Sequence, residues 1–307
     1  MPQVPLDDAR AAVEAGLRGL GYPPPRAALI ADHLLDAEMR GTRSHGLGRL
    51  PWLAEQPGVD PGAAPTRCER IEGLARWDAS GGIGYAALAE ALDAELGDPP
   101  GGARLVVVEG CFPTGRLGWY AERVAGRGLI CFVTATSPAR IVHPAGGPPA
   151  VGTNPLCLAV PDGAAPVAVD VSMGRVTFGD VLAAAATGAS LPAGASATPD
   201  SRLQTDPVEI VAGRAGIVPF GGDQAYKGFA LAAMVELLVG ALAETTGHAA
   251  VALLAAPRSA PAARLRAAVG DRRLPGDGSR ARRERAAAAG SLDIADELWA
   301  QIGALRR

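Results

Sequence analysis

The chain has 307 residues, 48% of them hydrophobic and 20% charged, which suffices for a large core in one large or two ordinary domains and is too apolar for disorder. Its formal charge of -3 and pI near 5.9 offer no general attraction to phosphate backbones or anionic membranes. Nucleic acid and membrane partners are therefore not expected, and a small-molecule partner is.

The N-terminal residues 1–8 lack a basic stretch followed by an apolar one, so no secretory signal is read there and a cytoplasmic location is expected. Leu6, Val13, Leu17 and Leu20 fall near helical spacing behind a candidate cap, Asp7, and Gly21 closes that helix. Pro23 to Pro25 predict a stiff turn, followed by a helix over 27–39 with Leu29, Ile30, Leu34 and Leu35 on its apolar side. Residues 54–76 read as a connection or an irregular edge segment. A helix is expected over 86–96, strands over 103–109 and 129–134 with a helix over 119–125 between them, and further strands over 156–160 and 167–171. That alternation predicts the α/β class.

Beyond it, residues 182–216 mix alanine-rich helix with loops, and a helix begins near Lys227. The apolar run 229–243 within it is too short to span a bilayer and carries Glu236, which favours a core helix. The arginines between Arg264 and Arg285 read as solvated helix faces. Cys68, Cys111, Cys131 and Cys157 show no CxxC spacing, predicting reduced, mostly buried thiols and no metal site.

The densest chemistry lies in Thr42-Arg43-Ser44-His45-Gly46-Leu47-Gly48-Arg49, where a hydroxyl, an imidazole and a guanidinium sit between glycines just past a helix. Unpaired carbonyls at that helix end predict a protonated imidazole at His45, a proton donor beside an anion clamp. Lys227 is the only lysine among 29 basic residues, which suggests that a compact, rotatable ammonium is needed there. GxGxxG, GxxxxGK[ST], HExxH and GxSxG are all absent, so a dinucleotide would not be held by a Rossmann turn.

An ordered set of motifs covers nearly the whole chain: Ser44-His45-Gly46 with Arg49-Leu50-Pro51, Trp77-Asp78-Ala79, Gly152-Thr153-Asn154-Pro155, Asp170-Val171-Ser172-Met173, Thr205-Asp206-Pro207, Tyr226-Lys227-Gly228, Leu274-Pro275-Gly276 and Leu298-Trp299. In these the chain resembles the malate/L-lactate dehydrogenase family that is unrelated to Rossmann-type enzymes, and is most similar to its diketogulonate reductases. The resemblance implies a sulfolactate-dehydrogenase-like α/β fold. It divides into a helical N-terminal part (1–75) carrying the Ser-His-Gly motif, an NAD(P)-binding α/β domain (76–247), and a C-terminal helical part (248–307) packed on the first. It also implies a homodimer, NADH or NADPH as cofactor, and a small carboxylated carbonyl as substrate.

Reducing a 2-oxo acid needs a hydride at the carbonyl carbon, a proton at its oxygen and a grip on the carboxylate. On the family pattern His45 is the proton donor. Arg49 is the carboxylate clamp through its planar fork, and Ser44 bonds the reacting oxygen or the cofactor amide. Cofactor contacts carry over to Thr153, Asn154, Asp170, Val171, Ser172, Met173, Gly174, Tyr226, Lys227, Gly276, Asp277 and Gly278. Departures from the pattern are Pro113, where many relatives have a second histidine, Gly174 and Asp180 where they often have Ser and Lys, and a short segment after Gly247. Reduction of a cyclic imine carboxylate and a binding relative without redox chemistry are the alternative readings.

Overall fold

The computed structural model describes residues 3–163, 165–244 and 247–306. Strand β1 (Gln3–Pro5) runs directly into helix α1 (Leu6–Gly19). Asp7 therefore lies inside the first turn, where its charge meets the positive end of the helix dipole, and the cap position falls on Pro5 instead. Helix α2 (Pro24–Met39) begins earlier than the sequence suggests. Pro24 and Pro25 start it rather than precede it, because the first helical positions need no N–H. A 3-10 turn, Arg43–His45, and the short α3 (Arg49–Ala54) follow.

The segment read as irregular holds a hairpin, β2 (Thr66–Ile71) and β3 (Leu74–Asp78). Then come α4 (Gly84–Leu96), β4 (Ala103–Glu109), α5 (Leu117–Ala125), β5 (Ile130–Ala135), β6 (Ile141–Val142), β7 (Pro149–Val151), β8 (Leu156–Val160) and β9 (Val167–Val171). Next are α6 (Phe178–Thr187), β10 (Ser196–Ala197), β11 (Leu203–Gln204), α7 (Pro207–Val211), β12 (Gly216–Ile217), α8 (Ala225–Leu242) and β13 (Ala249–Ala255). The chain ends with α9 (Ala262–Val269), α10 (Asp277–Ala289), β14 (Ser291–Asp293) and α11 (Asp296–Ala304).

Seven strands form the main sheet in the order β2-β3-β4-β13-β5-β8-β9. β3 and β4 run parallel with α4 crossing between them, and the other neighbours are antiparallel. The sheet takes in residues before 76, and β13, expected in a helical C-terminal part, inserts between β4 and β5 with Val251 opposite Val107 and Thr134. Strict alternation sorts its side chains: Val106, Val108, Ala250 and Ala252 face α4 and α5, while Val107, Ala249 and Val251 face Val235 and Val239 of α8.

Helix α8 and the preceding turn Gly222–Gln224 make 21 residues, long and apolar enough by length and composition to cross a membrane, and longer than the run read from the sequence. Ala232, Val235 and Val239 are buried, whereas Leu231, Met234, Leu237 and Leu238 are exposed. Strands of two or three residues build a second sheet, β11-β10-β12-β6-β7, buried by α6 and α7 through Val181, Ile210, Ala215 and Ile217.

The two chain ends meet. β1 pairs antiparallel with β14, Val4 opposite Leu292, and Ile294 and Ile302 join Val13, Leu17, Ile30 and Leu34 in one cluster. The C-terminal arginines are not merely solvated. Arg283 bonds Asp36 at 2.8 Å, Arg282 donates to the Arg40 carbonyl, and Arg266 bonds Asp162 at 2.6 Å, tying this region to the rest of the chain.

Candidate active site

The Ser-His-Gly loop is held from beneath by α2. The carbonyls at the end of α2 are taken by the amides of Arg40, Gly41 and Thr42, and buried Glu38 accepts a hydrogen bond from the Leu47 amide at 2.9 Å. A Cβ on Gly46 would lie 2.1 Å from a Glu38 carboxylate oxygen, so only glycine allows this approach. The Arg43–His45 turn then presents His45 with its Nδ1 3.1 Å from Ser44 Oγ. One helical turn on, Arg49 donates from Nε to the Ser44 carbonyl at 2.7 Å and lies over the Trp52 ring at 4.7 Å. Its Nη1 is buried without a hydrogen-bond partner among the described residues.

His45 is not the protonated group that its place after α2 suggests. Its pKa is pushed down from 6.5 to about 3, first by burial and then by the Arg49 charge, with the Asp180 carboxylate opposing. The helix carbonyls that would favour an imidazolium are already bonded to backbone amides, so burial decides the charge.

His45 and Arg49 open onto a cavity of about 830 Å³ between the main sheet, the second sheet and the loop. Thr153, Asp170, Ser172 and Gly276 also line it. Ser44 does not, but it holds His45 from behind. Asp170 accepts the Gly118 amide of α5 at 2.7 Å. Burial raises its pKa against the pull of Arg116. Ser137 Oγ pairs with Thr153 Oγ1 at 3.3 Å and takes the Thr153 amide.

Other candidate residues lie elsewhere. Asn154, buried behind the wall, donates to Ala232 O and Glu236 Oε2, and its Oδ1 has no partner among the described residues. Val171 is exposed, Met173 sits in a buried cluster with Ile141 and Val151, and Gly174 forms a backbone bridge to Pro219. Tyr226 and Lys227 occupy the outer first turn of α8, Lys227 bonded to Gln224 at 2.5 Å. Asp277 is used by the Leu274 amide, Arg266 and Arg280. Gly278 lies in the first turn of α10, off the cavity wall. Pro113, at the place of the second histidine, lines the cavity with a side chain that cannot titrate.

Sequence reading missed several cavity residues. Arg116 is ion-paired to Asp36 at 2.9 Å, and its amide donates to His33 Nε2 at 2.9 Å. Arg140 and Phe178 stack at 4.4 Å across two distant segments. Gly179 seats the loop: a Cβ there would be 2.2 Å from the Ser44 carbonyl and 2.7 Å from Arg49 Nη2. The Thr177–Asp180 capping box that starts α6 was the one local signal available.

The profile of the family described as malate/L-lactate dehydrogenase matches residues 4–271. The chain belongs to that family of oxidoreductases. It is 33% identical over 245 residues, 78% of this chain and 72% of the relative, to the (2R)-3-sulfolactate dehydrogenase (NADP(+)) of Chromohalobacter salexigens. It is 31% identical over 251 residues, 80% of this chain and 72% of the relative, to the Δ1-pyrroline-2-carboxylate/Δ1-piperideine-2-carboxylate reductase of Pseudomonas putida. Among solved structures it superposes on a dehydrogenase from Sinorhizobium meliloti with a TM-score of 0.87 at 29% identity, covering 100% of this chain and 98% of that one. The Δ1-piperideine-2-carboxylate reductase of Pseudomonas syringae gives 0.84 at 26% identity, covering 99% and 100%.

Proposed function

We propose that this family member is an NAD(P)H-dependent reductase, or in reverse a dehydrogenase, of 2-oxo and 2-hydroxy acids. The observation that carries this reading is one cavity wall holding an imidazole next to a buried guanidinium with an uncommitted donor, Arg49 Nη1. The nicotinamide, when bound, supplies or accepts the hydride. Thr153, Ser172 and Gly276 line the volume that would hold it, and Asp170 braces α5 beside it.

Arg49 grips the substrate carboxylate and orients the neighbouring carbon. Ser44 occupies Nδ1 of His45, leaving Nε2 to exchange the proton with the substrate oxygen. In the free site His45 is neutral, which suits removal of a hydroxyl proton. Burial is the larger cause of the depression of His45, but a carboxylate on Arg49 offsets the second, the Arg49 charge, so binding of an acid raises its proton affinity in the direction of reduction.

A second reading, reduction of a cyclic imine carboxylate, is favoured by the same depressed imidazole and by Pro113: an iminium brings its own proton and needs a weaker acid. The exposed face of α8, with Leu231, Met234, Leu237 and Leu238, supports a homodimer in which a second copy covers it, and light scattering that finds a monomer would exclude this. The test of function is fluorescence titration with NADH and NADPH, followed by absorbance with pyruvate, oxaloacetate and Δ1-piperideine-2-carboxylate. Turnover of a 2-oxo acid that collapses in His45→Asn is the expected result. Absence of nucleotide binding, or binding with no oxidation by any substrate, refutes the reading.

A further inference from the structure

Arg140, like Arg49, is a guanidinium on the cavity wall with a buried nitrogen that has no partner among the described residues. Its backbone is pinned on both sides, its amide donating to Val151 O at 2.8 Å and its carbonyl accepting the Ile217 amide at 2.7 Å, so the side chain projects from a fixed point. The guanidinium stacks on Phe178 at 4.4 Å, and its buried Nε has no hydrogen-bond partner among the described residues. Burial lowers its pKa with no carboxylate contributing in the opposite sense. Of the other charged residues on the cavity wall, exposed Arg282 donates to the Arg40 carbonyl. Arg116 is paired with Asp36, and Glu122 with Arg40. Asp170 is held by the Gly118 amide, and Glu55 stands exposed at the rim.

The position of Arg140 relative to the clamp is set by α6. Phe178 carries Arg140 on its ring, and the next residue, Gly179, is the one against which Arg49 Nη2 and the Ser44 carbonyl rest. Two guanidiniums that form no ion pair among the described residues thus flank the same first turn of α6, facing one cavity, with the Asp180 carboxylate of that turn acting on Arg49 from beyond ion-pair distance. Leaving both unpaired in a partly enclosed volume is costly, and a ligand with two separated anionic groups relieves the cost at both ends.

We propose that Arg140 binds a second anionic group of the substrate, so that the site takes dianionic 2-oxo or 2-hydroxy acids: one carboxylate on Arg49, and a second carboxylate or a sulfonate on Arg140. This rests on the 2-oxo acid reading above and narrows it, setting four-carbon diacids and sulfo acids apart from monocarboxylates such as pyruvate or a cyclic imine carboxylate. Arg140 acts here in recognition and takes no part in proton or hydride transfer.

The test compares wild type with Arg140→Leu, which removes the guanidinium that lies on Phe178 and leaves an apolar side chain in its place. NADPH and NADH affinities are read by fluorescence, and kcat/KM is measured for oxaloacetate and 3-sulfopyruvate against pyruvate. The expected result is a loss on the order of 10²-fold for the two dianions, carried by KM, as for removal of a charge-assisted bidentate contact. Pyruvate and nucleotide binding should change by no more than about twofold. Equal losses for mono- and dianionic substrates overturn the proposal. So does a loss confined to nucleotide affinity, which would make Arg140 a contact for a cofactor phosphate.

Calorimetric titration of both proteins with the non-reducible succinate and propionate separates this proposal from the reading beneath it. Succinate bound by wild type and lost in Arg140→Leu, with no 2-oxo acid reduced by either protein, retains the anion site and sinks the reductase reading. Succinate bound no better than propionate by wild type overturns the site itself.

Discussion

Gly179→Ala puts a methyl group where the structure has none to spare. The added Cβ would sit 2.2 Å from the Ser44 carbonyl oxygen, 2.7 Å from Arg49 Nη2 and 2.8 Å from Ser44 Cβ, whereas ordinary contact begins at 3.4 Å. The nearest obstacle is backbone, so no side-chain rotation relieves it, and the loop and α6 must part by about 1 Å. The same carbonyl accepts Arg49 Nε at 2.7 Å, so moving it disturbs imidazole and guanidinium together. Overpacking of this kind costs about 1–3 kcal/mol of stability, which a chain of this size survives. A misplacement of ~1 Å in reacting groups costs on the order of 10²-fold in rate. The assay is kcat/KM with oxaloacetate and NADPH beside thermal unfolding followed by circular dichroism. Gly303→Ala serves as control, since no atom lies within 4 Å of its added Cβ and helix α11 should gain up to about 1 kcal/mol. Wild-type kcat/KM in Gly179→Ala would refute the reasoning, since it would mean that α6 does not position the loop.

Arg49→Lys keeps the charge but loses the planar fork, and kcat/KM for a 2-oxo acid should fall about 10- to 100-fold, mainly through KM. For oxidation of the hydroxy acid, kcat/KM reports His45 of the free enzyme, so the profile should show no break near 6.5 and stay flat as pH falls toward 4, where an unshifted histidine would already have lost most of the rate. The same shift acts on stability. His45 is depressed when folded, so between pH 6.5 and about 3 the unfolded chain binds the extra proton and stability is lost as pH falls. Buried His33 is depressed in the same direction and adds to that slope. Denaturant unfolding should show His45→Asn losing up to about 2 kcal/mol less than wild type between pH 6.5 and pH 5, and parallel curves would contradict the assignment. Asn154→Ala removes the donor to Ala232 O and Glu236 Oε2 and leaves that carboxylate short of a partner, so thermal unfolding should report a loss of about 1–3 kcal/mol.

What could be read from the chain was what is encoded locally. Leu105 to Val108 and the runs over 156–160 and 167–171 announce strands because β-branched and apolar residues crowd together; the first is mostly buried, whereas the other two lie toward the sheet edge with Leu158, Val169 and Val171 exposed. Thr66–Ile71 escaped because it is an edge strand: Arg67, Glu69 and Arg70 interrupt its hydrophobicity, as suits a strand with one side open to water. β13 falls in the part expected to be helical and was not read as a strand, because its pairing with β4 and β5 closes over more than a hundred residues and leaves no local trace. The two- and three-residue strands of the second sheet are below any periodicity.

The candidate site divides along the same line. Ser44, His45 and Arg49 fall within six residues, and their mutual bonds follow from one turn of chain. Arg140 and Phe178, 38 positions apart, meet only because β6 and α6 belong to the same small layer, so no spacing rule could pair them. The charge of His45 was misjudged for a related reason. A helix C-terminus is a feature of sequence neighbours, but the α2 carbonyls are consumed by Arg40, Gly41 and Thr42, and the imidazole instead answers to Arg49, Asp180 and the wall around it. A histidine's neighbours in space, brought in by a glycine on another helix, thus set the protonation state that its neighbours in sequence appeared to decide.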